Sequence, residues 1–155
     1  MVNIVLVEPQ IPHNTGAIGR LCVNMGATLH LVRPLGFSIE DRDLKRAGLD
    51  YWPQLDLKVW DDLESFLAHH PIGEHTHLAT TKTDRPYWEA RFAPGDFLLF
   101  GSETSGLDAT LLDRHTDRCI TIPMSAQGRS LNLAISVGIV AYEAVRQNSE
   151  LKEMR

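Results

Sequence analysis

The sequence predicts an α/β fold, a parallel sheet with helices on both faces, and three observations carry that prediction. Short apolar runs rich in branched residues, such as Asn3-Ile-Val-Leu-Val7, lack the period-two polarity of a half-exposed strand. These runs alternate with segments whose apolar residues recur at helical spacing. The chain has 155 residues, 43% hydrophobic and 23% charged, enough for the core of one domain spanning 1–155.

Residues 3–7 read as a first strand, stopped by Glu8-Pro9. A helix follows, with Asn14 or Thr15 as its N-cap and Gly26 as its terminator. Ile18, Leu21, Cys22 and Met25 share one face of it, and Gly16, Arg20 and Asn24 another. Residues 29–32 form the second strand, and 36–48 carry Arg42, Lys45 and Arg46 on a short helix. A strand over 57–60 leads to a helix over 61–69 capped by Asp61 or Asp62, then a strand over 77–80. The run 97–100 is a continuous apolar strand ending at Gly101, followed by a short helix over 107–113 and a strand over 119–122. The final helix, 130–147, has Ser130 as its cap and is apolar on every side, so every side needs cover. In a domain this small the sheet covers one side, and a second subunit is the simplest cover for the other.

Composition excludes several function classes. A formal net charge of −5 argues against a broad sequence-independent nucleic-acid surface while leaving room for a local basic patch. No stretch has the length and purity of a membrane span, and no basic segment followed by an apolar run opens the chain, so the expected location is the cytoplasm. Cys22 and Cys119, far apart among apolar residues, read as reduced core thiols. His69, His70, His75 and His77 flank Pro71 and Gly73 without ligand spacing, so they read as a solvated loop and no metal is expected.

The segment Gly101-Ser-Glu-Thr-Ser-Gly-Leu107 follows a buried strand, where α/β proteins place ligand loops. It is not a triphosphate loop, because Leu107 and Asp108 stand where Lys and Ser or Thr must follow. Pro9 and Pro12 replace the glycines of a dinucleotide fingerprint, and Ser105 lacks the earlier glycine of a nucleophile elbow. Taken alone, the segment also reads as a tight turn with a solvated Glu103. Asn14, Arg20 and Ser130 likewise read, one by one, as caps and a surface cation, whereas Asn132 is an odd residue in an apolar helix and needs partners.

Together these segments resemble the SPOUT superfamily of RNA methyltransferases, most closely its TrmL-type members acting on the tRNA wobble nucleotide. The matching pieces are the run from Asn3 to Cys22, Arg46-Ala-Gly-Leu-Asp-Tyr51, Thr80-Thr-Lys82, Leu99 to Leu107, Ile122-Pro-Met124 and Arg129-Ser-Leu-Asn-Leu133, in the family's order over nearly the whole chain. The resemblance implies a C-terminal trefoil knot, which pattern alone never proposes. It implies transfer of a methyl group from S-adenosylmethionine to the ribose 2′-hydroxyl of nucleotide 34, cytidine or modified uridine, with leucine tRNAs as the expected substrates. Another tRNA position, ribosomal RNA, or a non-catalytic RNA-binding dimer are the alternatives. Asn14, Arg20, Glu103, Ser130 and Asn132 match catalytic and substrate-side positions. Ala79 or Thr80, Gly101, Ile122, Met124, Ser130 and Leu131 match the cofactor pocket. Family members are homodimers through the last helix. The family's motif arginine would be Arg20, and a guanidinium, always protonated, suits phosphate binding and alkoxide stabilisation better than proton abstraction. Glu103 and Asn14 are expected to orient it. Arg42, Lys45, Arg46, Lys82 and Arg129 are the expected RNA-facing cations.

Overall fold

A computed structural model describes residues 1–40, 42–47 and 50–148; within these, the side chains of Lys45 and Ala47 are not described. The elements are β1 (Asn3–Val7), α1 (Pro12–Met25), β2 (Thr28–Val32), α2 (Arg42–Ala47), β3 (Leu57–Trp60), α3 (Leu63–His69), β4 (Thr76–Ala79), β5 (Phe97–Phe100), α4 (Ala109–Arg114), β6 (Cys119–Ile120) and α5 (Leu133–Gln147). Single 3₁₀ turns lie at Trp52–Gln54, Tyr87–Glu89 and Thr116–Arg118. The strands form one six-stranded sheet in the order β3-β2-β1-β5-β4-β6, every pair parallel, as the uninterrupted apolar runs predict.

Alternate side chains of each strand enter two cores. Ile4, Leu6, Leu29, Leu31, Leu98 and Phe100 pack with Ile18 and Cys22 of α1 and Val137, Val140 and Ala144 of α5. Val5, Val7, Val32, Leu78 and Leu99 pack with Phe66 of α3 and Leu111 and Leu112 of α4. Both cysteines are buried and free, as expected.

Two helix starts differ from the sequence reading. α1 begins at Pro12 rather than after Asn14 or Thr15, because proline at the first helical position has φ preset and no N–H to satisfy. Its end is as expected: Gly26 turns left-handed at φ 70°, and Ala27 N–H reaches the Cys22 carbonyl at 2.9 Å. α5 begins at Leu133 with Asn132 as cap, not Ser130, and the Asn132 Oδ1 accepts from Ala134 N–H (2.9 Å) and Ile135 N–H (3.3 Å). Asn132 is therefore an exposed cap, not a buried interior residue. The short helix after β5 starts at Ala109 behind the Asp108 cap, and β6 keeps two residues, with Thr121 making an isolated bridge to Pro86.

α5 is apolar all round, yet only one side is covered. Val137, Val140, Ala141, Ala144 and Val145 are buried, while Ile135 is 54% and Tyr142 40% exposed, with Leu131 nearby in sequence at 39%. Among the described residues no helix is long and apolar enough to cross a membrane.

The sheet holds polar networks that the sequence reading missed. His77 is buried rather than solvated, and its Nε2 donates to the buried Asp96 carboxylate at 2.8 Å, which also takes His75 Nδ1 at 2.9 Å and Ala93 N–H at 2.9 Å. Burial pushes His77 below the usual imidazole value against the upward pull of Asp96. His30 is also buried: Trp60 Nε1 donates to its Nδ1 (3.1 Å), so its Nε2 carries the proton and donates to Asn3 Oδ1 (3.0 Å).

Candidate active site

The carboxyl ends of the strands carry the site. β1 lies between β2 and β5, where the strand order departs in both directions, and such a reversal opens a crevice above the sheet. A cleft of about 440 Å³ sits there, a volume ordinary for a small-molecule site. Four segments line it rather than the three that the loop pattern picks out. They are Ile11 and Asn14 at the start of α1, residues 79–82 from the end of β4, residues 100–107 from the end of β5, and, running from β6 into α5, residues 120–122, Met124, residues 130–133, Ser136 and Val140.

Residues 101–106 fold back on themselves. Gly106 N–H reaches the Ser102 carbonyl (3.0 Å), and Ser105 N–H reaches the Ser102 Oγ (3.1 Å). A Cβ at position 101 would lie 2.0 Å from the Gly106 carbonyl carbon, so only glycine closes this turn, and Gly106 itself has φ 68°. The closure aims Glu103 across the crevice at the start of α1. Its carboxylate accepts from Gln10 N–H (2.8 Å) and Ile11 N–H (3.1 Å), satisfying amides that α1, lacking a side-chain cap of its own, leaves open. Glu103 is thus a half-exposed tie between two loops, with no contact to Arg20 among the described residues.

The second tie joins the two helix starts. Asn132 Nδ2 donates to Asn14 Oδ1 at 3.0 Å while its own Oδ1 caps α5. Asn14 is 8% exposed and lines the cleft, and its Nδ2 has no partner among the described residues. That leaves one nearly buried amide donor for whatever the cleft holds. The expected orientation of Arg20 by Glu103 and Asn14 is therefore corrected: both spend their oxygens elsewhere.

Asn14, Glu103, Ser130 and Asn132 all line the cleft, as do Ala79, Thr80, Gly101, Ile122, Met124 and Leu131. Arg20 does not. It stands exposed six residues beyond Asn14, about 9 Å along the α1 axis, with Cζ 4.8 Å from the centre of the Tyr51 ring. Of the expected RNA-facing cations, Lys82 lines the cleft, while Arg42 and Arg46 are exposed on α2, which packs against α1. Arg129 is exposed in the loop before α5, and the Lys45 side chain lies outside the described residues, as do Gly48 and Leu49 of the Arg46–Tyr51 motif. The sequence reading missed Thr81, Thr121 and Ser136 in the lining. Thr81 and Ser136 had signals, the first inside the Thr80-Thr-Lys82 piece and the second four residues after Asn132.

Comparison with known proteins agrees with this geometry. The model of the SpoU rRNA Methylase family matches residues 1–142. The tRNA (cytidine(34)-2′-O)-methyltransferase of Yersinia pestis is 45% identical over 152 residues, covering 95% of this chain and 94% of its own length. The protein of that name from Burkholderia pseudomallei is 44% identical over 149 residues, covering 95% and 96%. A solved structure from work on 2-OH methylation of C/U34 on tRNA superposes with a TM-score of 0.90 at 46% identity, covering 95% of both chains. An AdoMet-bound rRNA methyltransferase from Sinorhizobium meliloti superposes with a TM-score of 0.83 at 25% identity, covering 94% of this chain and 56% of that one.

Proposed function

The chain belongs to the SpoU rRNA Methylase family, and from that premise we propose that it transfers a methyl group from S-adenosylmethionine to the ribose 2′-hydroxyl of nucleotide 34 of tRNA. The observation that carries this reading is the cleft itself, where the expected cofactor-side residues meet Asn14, Glu103, Ser130 and Asn132. Its residues fit the cofactor. Ile122, Leu131, Leu133 and Val140 supply apolar wall, the loops after β4, β5 and β6 supply backbone groups, and Asn14 supplies a spare amide donor.

When bound, the cofactor supplies an electrophilic methyl group on a sulfonium, so the reaction is an in-line displacement by oxygen. The protein must hold the ribose oxygen in line and support loss of its proton. Ala79, Thr80, Gly101, Ile122, Met124, Ser130 and Leu131 bind the cofactor side. Asn14, Ser130 and Asn132 orient ribose, and the ties through Glu103 and Asn132 keep the walls in register. Arg20, exposed outside the cleft lining, binds substrate phosphate. Its permanent charge leaves the proton to a phosphate oxygen or water. Arg42, Lys45, Arg46, Lys82 and Arg129 meet the RNA backbone.

The same reading makes residues 1–155 one domain with a C-terminal trefoil knot, working in the cytoplasm as a homodimer. The uncovered side of α5 supports the dimer: Ile135 and Tyr142, with Leu131, are the apolar surface a second copy would bury. Doubling the basic residues also offsets the net charge of −5 for an RNA substrate.

Purified tRNAs incubated with the protein and S-adenosylmethionine, then digested for nucleoside mass spectrometry, test the proposal. A 2′-O-methyl group at position 34, with leucine tRNAs as first candidates, is the expected product. Methylation at another position or only of ribosomal RNA would move the substrate, and RNA binding without cofactor binding in calorimetry would remove the activity.

A further inference from the structure

Arg20 is unusual for an exposed arginine that serves chemistry: among the described residues it has no hydrogen bond and no ion pair. Its one partner is the Tyr51 ring, 4.8 Å from Cζ, inside the range for attraction between a guanidinium and an aromatic face. The ring is itself held. Tyr51 is half-buried, its carbonyl takes Gln54 N–H at 2.9 Å, and the 3₁₀ turn Trp52–Gln54 beside it packs on α1. Gly19 makes that approach possible, since a Cβ there would meet the Trp52 ring at 3.2 Å and Leu55 at 3.3 Å. One helical position therefore seats the turn, and the next carries the cation that the turn supports.

We propose that Tyr51 is a positioning residue that holds the Arg20 guanidinium by its face, leaving its N–H edge free for a phosphate of the RNA. A carboxylate partner would hold the same group by that edge and compete with the substrate. A ring holds it by the face and leaves every donor available. The inference rests on the methyltransferase reading above, with Arg20 on the substrate side.

The test replaces Tyr51 with phenylalanine, with ring-fluorinated phenylalanines and with leucine, and measures single-turnover methylation of tRNA, cofactor affinity and melting temperature. Fluorination keeps the shape while draining the ring face, so folding is preserved and the attraction is not. Tyr51→Phe is expected within about twofold of wild type, with the fluorinated series falling progressively and Tyr51→Leu reaching about fivefold lower turnover. Cofactor affinity stays constant throughout. In an Arg20→Gln background, which lacks the cation, the fluorination trend disappears. A flat fluorinated series overturns the proposal. So does a loss in Tyr51→Phe as large as in Tyr51→Leu, which assigns the hydroxyl instead, or an equal trend in the Arg20→Gln background. A wild-type protein inactive on all RNA overturns the methyltransferase reading, an outcome distinct from each of these.

Discussion

His30 shows how much one side chain decides when both ring nitrogens are committed. Trp60 offers a proton to Nδ1, so Nδ1 must stay bare, and Nε2–H goes to Asn3. A second proton would leave Nδ1–H facing Trp60 N–H, and burial with the neighbouring cations pushes His30 down to about 4. The unfolded ring titrates near the ordinary imidazole value of 6.5, so between pH 6.5 and 4 the unfolded state binds more protons. Stability from this group is complete above 6.5 and declines as pH falls through that window, by no more than about 3 kcal/mol. His77, lowered by burial, acts in the same direction. The expected outcome is a His30 Cε1–H resonance that titrates near 4, with a lower melting temperature at pH 5 than at 7.5. A His30 midpoint near 6.5 would remove the account. Neither histidine was legible in the sequence, because a buried imidazole and a solvated one have the same local pattern; the partners Asn3, Trp60 and Asp96 come from distant segments.

At the scale of elements, the two helix starts at the cleft are stabilised differently, and the difference is testable. α5 carries its own cap, whereas α1 borrows Glu103 from the loop after β5. Asn132 does two jobs with two ends of one amide. Asn132→Asp retains the capping oxygen but loses the donor to Asn14, so the melting temperature stays near wild type while turnover falls. Asn132→Ala loses both and costs about 1 kcal/mol of stability as well. Urea unfolding alongside methylation kinetics separates the two variants; equal turnover in Asn132→Asp and wild type would show that the Asn14 tie is dispensable. Strand positions were legible because burial on both faces leaves a continuous apolar run, and β1, β3 and β5 lie where the pattern puts them. Helix starts were less so. Pro12 outweighs a good capping residue two positions later, and a cap supplied from 93 residues away leaves no local trace.

For the whole molecule, the uncovered side of α5 is the feature that a single chain does not resolve. Under the dimer reading, Ile135→Glu places a charge where a partner's apolar surface should pack, at a position 54% exposed in one chain. Sedimentation at micromolar concentration is expected to give a dimer for wild type and a monomer for the variant, with the fold intact by circular dichroism. A wild-type monomer would leave α5 an exposed apolar surface with no second copy. Fold class and most of the cleft lining were readable because they follow from local pattern and from motifs kept in order. The ties between loops were not, since Glu103 and Asn132 acquire their partners only when the sheet brings strand ends together. That division has a practical side. Asp96 and its histidines lie at the amino ends of strands only four or five residues long, and the cleft lies at the other, about 13 Å away. An engineer seeking tolerance to acid has a work area at the amino edge, where a change at His77 that leaves Asp96 to His75 and the Ala93 N–H touches no residue of the cleft lining.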